Sequence, residues 1–321
     1  MSFTPWPLIG GLVGPTASGK SEIALRWAMQ TGGAILSLDA MQVYRGPDIG
    51  TGKPTTQEQA RVPHGGIDLV EIGKPFSVAD YLQHAKAFLQ KCNERQQPVL
   101  AVGGTGLYYR ALTQGLSATR PASEALRQTL EALSLEQLQE RLRALDPEGL
   151  EILDANNPRR LVRAIETLEA SGKPLRWWHA HKQSTPLAPA LPTWCLTWKK
   201  EALNQRIAAR VQAMFAQGWV EEVRSLLDKY SIESFGALPA IGYPAIAEWV
   251  RQGSPEADTE QLTHLITVAT RQYAKRQLTW FRRESKLEWV AMDAPNASDQ
   301  LLAALLSHTS ASPAATDSLL D

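Results

Sequence analysis

A chain of 321 residues with 44 % hydrophobic side chains and 33 charges of each sign can bury one large domain and a smaller one, and its composition excludes general disorder. No apolar run reaches the roughly 18–20 residues that span a bilayer, and Met1–Pro7, MSFTPWP, is not a basic-then-apolar leader; a cytoplasmic protein with no membrane partner is expected. Zero net charge gives no bulk attraction for nucleic acid, so any such surface must come from local clusters.

Leu8–Val13 is a short apolar run that reads as a strand. Ile23, Ala24 and Trp27 then fall at helical spacing, and Gly32-Gly33 stops that helix. Ala34–Leu38 is the next strand, followed by a Gly/Pro-punctuated loop through Pro54. Ser77, with Asp80 three residues on, predicts a capped helix over Val78–Glu94. Pro98–Val102 is another buried strand, entering Gly103-Gly104-Thr105-Gly106 and a further helix. This alternation predicts an α/β protein, a parallel sheet flanked by helices.

From Pro121 to about Trp178 the pattern is helical throughout, with a capping box at Ser134/Gln137 and an apolar stripe of Leu161, Ile165 and Leu168. An all-helical insertion over 119–188 is therefore expected within a core formed by 1–118 and 189–295. Pro-rich Ser184–Pro192 closes the insertion, Trp194–Trp198 reads as a returning strand, and helices dominate from Glu201 to about Arg283. Residues 296–321 are expected to form a C-terminal helix and a frayed tail from Ser307. Cys92 and Cys195 stand far apart, with no companions at metal spacing, and read as small buried hydrophobes.

Gly14-Pro-Thr-Ala-Ser-Gly-Lys-Ser21 matches the P-loop pattern in the required place, between a strand and a helix. Backbone N–H groups of Gly14, Thr16, Ala17, Ser18 and Gly19 can converge on phosphate oxygens at the helix N-terminus. Lys20 supplies a point charge, and the Ser21 hydroxyl suits Mg²⁺, the expected cofactor. Such a cradle holds a diphosphate or a triphosphate without saying whose. The Pro98–Val102 strand does not end in the acid that nucleoside-triphosphate hydrolases place there. The acid is Asp39, just past the second strand, where it can act as a metal partner or a general base, and Thr105 sits in the neighbouring glycine-rich bend. A small-molecule kinase using ATP and an RNA-remodelling ATPase are the alternatives that a P-loop leaves open.

Taken together, GPTASGKS (14–21), DAMQVYRGPDIGTGKPT (39–55), VGGTGLYYRAL (102–112), NNPRRLVRAIE (156–166), AIGY (240–243) and TRQYAKRQLTWFRR (270–283) resemble the tRNA dimethylallyltransferase (tRNA isopentenyltransferase) family over roughly residues 9–290. The resemblance implies a P-loop-fold transferase of the dimethylallyl group. The donor is dimethylallyl diphosphate and the acceptor is N6 of the adenosine 3′-adjacent to the anticodon, position 37, in tRNAs reading codons that begin with U. It implies that the P-loop holds the isoprenoid diphosphate, that Asp39 is the base, that Thr105 lies near the bridging oxygen and that Arg210 helps bind diphosphate. It places tRNA contacts at Asp39, Ala40, Met41 and Gln42, at Arg127, and at Arg159, Arg160, Leu161, Val162 and Arg163.

Arg159 and Arg163 lie one turn apart opposite the apolar stripe, and Arg271, Lys275, Arg282 and Lys286 share a face if their helix runs that far. These two basic clusters are candidates for binding the anticodon stem-loop, with Thr105 also near the tRNA. A monomer is expected. The chain departs from the family pattern at His64-Gly65-Gly66, where His-His-Leu is usual, and at Asp154 and Asn157, where a His and an Asp are favoured.

Overall fold

The computed structural model describes residues 7–116, 123–181, 185–238, 240–253 and 259–310. The opening Met1–Trp6, the expected boundary at 118–119, Pro121, Ser184 and the tail from 311 onward lie outside the described residues. The chain divides into two compact units, one formed by residues 1–113 with 188–321 and the other by Gln114–Leu187.

The first unit opens with β1 (Leu8–Val13), five of whose six residues are buried, as a parallel strand covered on both faces requires. Helix α1 (Lys20–Thr31) buries Ile23, Ala24, Trp27 and Ala28. It ends at Gly32, whose left-handed backbone returns its N–H to Ala28 O. Strand β2 (Ala34–Leu38) is buried throughout. After α2 (Thr56–Arg61) and the two-residue β3 (His64–Gly65) comes α3 (Val78–Glu94), started by the Ser77/Asp80 capping box. Strand β4 (Val99–Gly103) and helix α4 (Gly106–Gln114) complete this half. The His64-Gly65-Gly66 departure has a packing reason. A Cβ on Gly65 would sit 2.5 Å from the Phe88 ring, and one on Gly66 2.7 Å from Ser37 O.

The second unit is all-helical among its described residues. It comprises α5 (Glu124–Glu131), α6 (Leu135–Leu145), α7 (Pro147–Glu151), α8 (Pro158–Ser171) and α9 (Leu175–Ala180). Its core joins Leu130, Leu138, Leu142, Leu161, Ile165 and Leu168. Ser134 and Gln137 form the capping box of α6, and Asn157 caps α8 by accepting Arg160 N–H.

The chain then returns through β5 (Thr193–Thr197), α10 (Lys200–Ala216), α11 (Trp219–Leu227), α12 (Ile232–Ala237), α13 (Tyr243–Arg251), α14 (Thr259–Phe281), β6 (Glu288–Ala291) and α15 (Ala297–Ser310). The six strands pair in parallel in the order β3-β2-β4-β1-β5-β6. Leu38, Gly103 and Val13 share one row of this sheet, so the loops that follow β2, β4 and β1 emerge side by side.

Three expectations are corrected. Strands β3 and β6 were not foreseen, because two residues and a largely exposed edge give no apolar pattern. Helix α14 stops at Phe281, so Arg282 and Lys286 do not continue the face of Arg271 and Lys275. Residues 307–310 belong to α15, packed through Leu301, Leu302 and Leu305, and are not a frayed tail.

Candidate active site at the carboxyl edge of the sheet

The P-loop leaves β1 at Gly14, where φ is +137° and a Cβ would meet Leu196 O at 2.7 Å; only glycine turns here. Lys20 folds back into the loop, its Nζ donating to Gly14 O at 3.0 Å, Pro15 O at 2.6 Å and Ser18 Oγ at 3.2 Å. Burial, and next the charge of Arg210, pull its ammonium from 10.5 down to about 7, although Asp39 and Cys195 oppose this. A lysine held at this value gains its proton back when an anion arrives. Ser21 follows on the exposed side of the first turn of α1.

Asp39 stands at the end of β2. Its Oδ1 accepts Met41 N–H at 2.8 Å. Burial pushes the Asp39 carboxyl up, while Met41 and Gln42 N–H groups and the charges of Lys20 and Arg210 pull it down. Thr105, from the turn after β4, is one residue away, since Ala40 N–H donates to Thr105 Oγ1 at 3.0 Å and Thr105 N–H to Leu38 O at 2.9 Å. Arg210 reaches in from α10 and lies against Gly52, where a Cβ would come within 1.9 Å of its Nη2. Burial lowers its pKa and Asp39 raises it. The structure thus brings Lys20, Asp39, Thr105 and Arg210 into one crevice.

The 39–55 loop is rigidly held. Gln42 accepts Ser37 Oγ–H at 2.8 Å and donates to the carbonyls of Thr51 at 3.3 Å and Gly52 at 3.0 Å, so its amide pins the loop. Lys53, 8 % exposed, donates to Asp48, Asp68 and Tyr44 O. Glu222 accepts the N–H groups of Asp48 and Ile49, and Tyr243 of the AIGY segment links Glu222 to Gly50 N–H. Sequence reasoning missed Gln277, Arg206 and Trp198. Gln277 accepts Thr16 N–H at 2.8 Å and donates to Gly104 O at 3.1 Å. Tyr273, one turn earlier on α14, faces Thr105 and Gln277, and burial, then Asp39, raise its phenol and keep it neutral. Arg206 Nε and Trp198 Nε1 donate to the P-loop carbonyls of Ala17 and Ser18. Their signal is tertiary.

The other predicted contacts divide. In the second unit, Glu166, 1 % exposed, accepts from Arg127 at 2.8 and 3.3 Å and from Arg163 at 3.1 Å, which gathers two arginines of different helices. Burial raises the Glu166 carboxyl, and the two arginines more than reverse this, leaving it below its ordinary value. Arg159 and Arg160 are exposed. Leu161 and Val162, at 0 % and 8 % exposure, belong to the core of this unit, and helical geometry turns their side chains away from solvent. Arg271 is half-buried, with Nη2 3.5 Å from Asn204 O; it too departs from the expected open basic face, whereas Lys275 and Arg282 are exposed.

A P-loop sequence between strand and helix, with a partly buried carboxylate and a second cation beside it at the edge of a parallel sheet, defines an α/β enzyme of the P-loop fold. Family comparison is specific. The IPP transferase family matches residues 42–284 and the isopentenyl transferase family residues 8–63. The chain is 41 % identical over 302 residues to a tRNA dimethylallyltransferase of Geobacter metallireducens, covering 91 % of this chain and 94 % of that one. The crystal structure of the full-length tRNA isopentenylpyrophosphate transferase of Bacillus halodurans superposes with a TM-score of 0.65 at 32 % identity, over 94 % of this chain and 97 % of that chain. A eukaryotic dimethylallyltransferase acting on tRNA shares the fold, with a TM-score of 0.76 at 23 % identity over 92 % and 78 % of the two chains. The chain belongs to the tRNA dimethylallyltransferase (IPP transferase) family.

Proposed function

We propose that this chain transfers the dimethylallyl group from dimethylallyl diphosphate to N6 of the adenosine at position 37 of tRNAs that read codons beginning with U. The observation that carries the reading is the grouping of Lys20, Arg210 and Asp39 around the P-loop: two cations for a leaving diphosphate and one carboxylate for an amine.

The N6 lone pair is delocalised into the adenine ring, so the amine is a weak nucleophile. Asp39 accepts its hydrogen bond and, as N6 bonds to C1 of the isoprenoid and the C1–O bond breaks, its proton. Positioned bases of this kind contribute typically about 10²–10⁴-fold. Lys20, Arg210 and the N–H groups at Ser18–Ser21 stabilise the charge that develops on the departing diphosphate, and Thr105 lies beside the base. No enzyme nucleophile is required, and both cysteines are buried.

The residues present fit Mg²⁺. Ser21, in the first turn of α1 beside Lys20, would offer its hydroxyl to the ion. An ion held by one protein oxygen plus diphosphate oxygens and water is the ordinary habit of Mg²⁺, and it would neutralise leaving-group charge.

The acceptor base must leave the anticodon stack, at a cost of a few kcal/mol offset by contacts in the pocket. Arg127, Arg159, Arg160 and Arg163 supply phosphate contacts in the helical unit, with Lys275 and Arg282 in the core. We further propose that the enzyme works in the cytoplasm as a monomer. Incubation with labelled dimethylallyl diphosphate, Mg²⁺ and bulk tRNA should yield N6-dimethylallyladenosine on nucleoside analysis. ATP hydrolysis without isoprenoid transfer would instead favour a kinase or a remodelling ATPase.

A further inference from the structure

The carbonyl groups of the P-loop are almost fully accounted for. Those of Gly14 and Pro15 accept from Lys20, and that of Gly19 from Ile23 N–H at 3.3 Å. The Ala17 carbonyl accepts Arg206 Nε–H at 2.8 Å, and the Ser18 carbonyl Trp198 Nε1–H at 3.1 Å. The last two donors come from outside the loop and form one device, because the Arg206 guanidinium lies 4.5 Å above the Trp198 ring. Arg206 is on the exposed side of α10, and Trp198, half-buried just after β5, packs its ring against the core while its Nε1–H reaches the loop.

A peptide group is planar and trans, so C=O of one residue and N–H of the next point in opposite directions. Fixing the Ala17 and Ser18 carbonyls against Arg206 and Trp198 therefore turns the Ser18 and Gly19 N–H groups to the opposite side, into the cradle. The backbone needs this support. Ala17 has φ +62°, in the left-handed region that is unfavourable for a non-glycine residue and persists only where the surroundings determine it. A dipeptide free to flip would offer carbonyl oxygens to an anion.

We propose that Arg206 and Trp198 are positioning residues for the transfer reaction: they clamp the Ala17 and Ser18 carbonyls outside the loop and so keep the Ser18 and Gly19 N–H groups aimed at the diphosphate. The proposal rests on the reading of the P-loop as the diphosphate site. Neither side chain touches the ligand; both act through the backbone.

Calorimetric titration of inorganic pyrophosphate and of dimethylallyl diphosphate, each with Mg²⁺, into the full chain and its variants tests this. W198F keeps the ring and loses the donor, R206M keeps the stem and loses the guanidinium, and R206K keeps a charge and a donor. W198F and R206M should each weaken both ligands by about three- to tenfold, the size of one modest hydrogen-bond effect. Because the two act together, the double variant should lose less than the product of the single losses. R206K should recover part of the affinity. In steady state, KM for dimethylallyl diphosphate should rise by the same factors, with kcat and KM for tRNA changing less than about twofold. Parental affinity in W198F and R206M, or a fall in kcat with KM unmoved, overturns the proposal. Should R206M not fold, W198F and R206K decide in the same way. If the parent protein binds neither ligand, the diphosphate reading of the cradle fails, and this inference with it; parental binding that the variants leave untouched sinks the inference alone.

Discussion

Thr16 and Gln277, separated by 261 positions in the chain, are joined by a 2.8 Å hydrogen bond from backbone N–H to side-chain oxygen. The other end of the same amide holds Gly104 O. One side chain of α14 thus ties the P-loop to the turn that carries Thr105.

This brace explains a glycine. A Cβ at Gly104 would stand 2.0 Å from Gln277 Nε2, and one at Gly106 2.1 Å from the Trp280 ring. Gly104→Ala should displace the Gln277 amide, with a loss of about 1–3 kcal/mol in denaturant unfolding from overpacking and weaker pyrophosphate binding. Unfolding and titration curves identical to the parent's would show that the brace carries no strain.

Lys20 should make ligand binding depend on protons. Its folded pKa of about 7 lies below the 10.5 of an ordinary lysine. Between those values the unfolded chain holds a proton that the folded, ligand-free chain lacks, so this residue adds stability as pH rises through that window. An anionic diphosphate favours the ammonium, so binding near pH 8 should take up protons. Titration in two buffers of different ionisation enthalpy measures the uptake, and K20M should abolish it. K20A should weaken dimethylallyl diphosphate binding by about 1.5–3 kcal/mol. Tight ATP binding with none of the isoprenoid would contradict the assignment.

Asp39 is held above the ordinary carboxylate value by burial, against two N–H groups and two cations. A base works ionised, so single-turnover rates should climb with pH through this raised value and level off above it. D39N should cut that rate by roughly 10²–10⁴ and remove the climb, while tRNA affinity changes far less. A D39N rate near the parent's would end its role as base.

The arginines of the helical unit predict a salt signature. Each lost phosphate contact should lower the salt slope of tRNA binding by about 0.7–0.9. Replacing Arg159 and Arg163 by Ala should therefore weaken and flatten that dependence and leave dimethylallyl diphosphate affinity alone. E166Q should weaken tRNA binding by releasing Arg127 and Arg163 from their common anchor. Because the Glu166 carboxyl sits below its ordinary 4.5, its stabilisation is present above that value and lost as pH falls through the depressed one. E166Q should flatten this acid loss. An unchanged salt slope in the double alanine variant would leave the helical unit without its RNA role.

Much of this was readable from local patterns. The P-loop, the strands before Gly14, Asp39 and Gly103, and the caps at Ser77 and Ser134 each involve residues close in sequence, where steric and hydrogen-bond rules act directly. Asp39 was legible because a strand end locates it. Arg210 was not: nothing local distinguishes it from Arg206, four residues before it, and resemblance alone marked it out. Gln277, Trp198 and Arg206 matter through contacts formed 180 or more residues away, where local periodicity is silent. Leu161 and Val162 show the reverse case, in which a basic segment was read whole although the helix assigns two of its members to the interior.

The strand order also dictates when the cradle can acquire its shape during synthesis. β1 is made first, yet its neighbours are β4 and β5, and the residues that fix the P-loop backbone follow at Trp198, Arg206 and Gln277. The P-loop of a nascent chain therefore lacks at least one of these supports until residue 277 has left the ribosome. Meanwhile the helical unit, with its local contacts, can fold on its own timescale. A chain terminated before residue 277 should therefore bind inorganic pyrophosphate more weakly than the full chain in calorimetric titration.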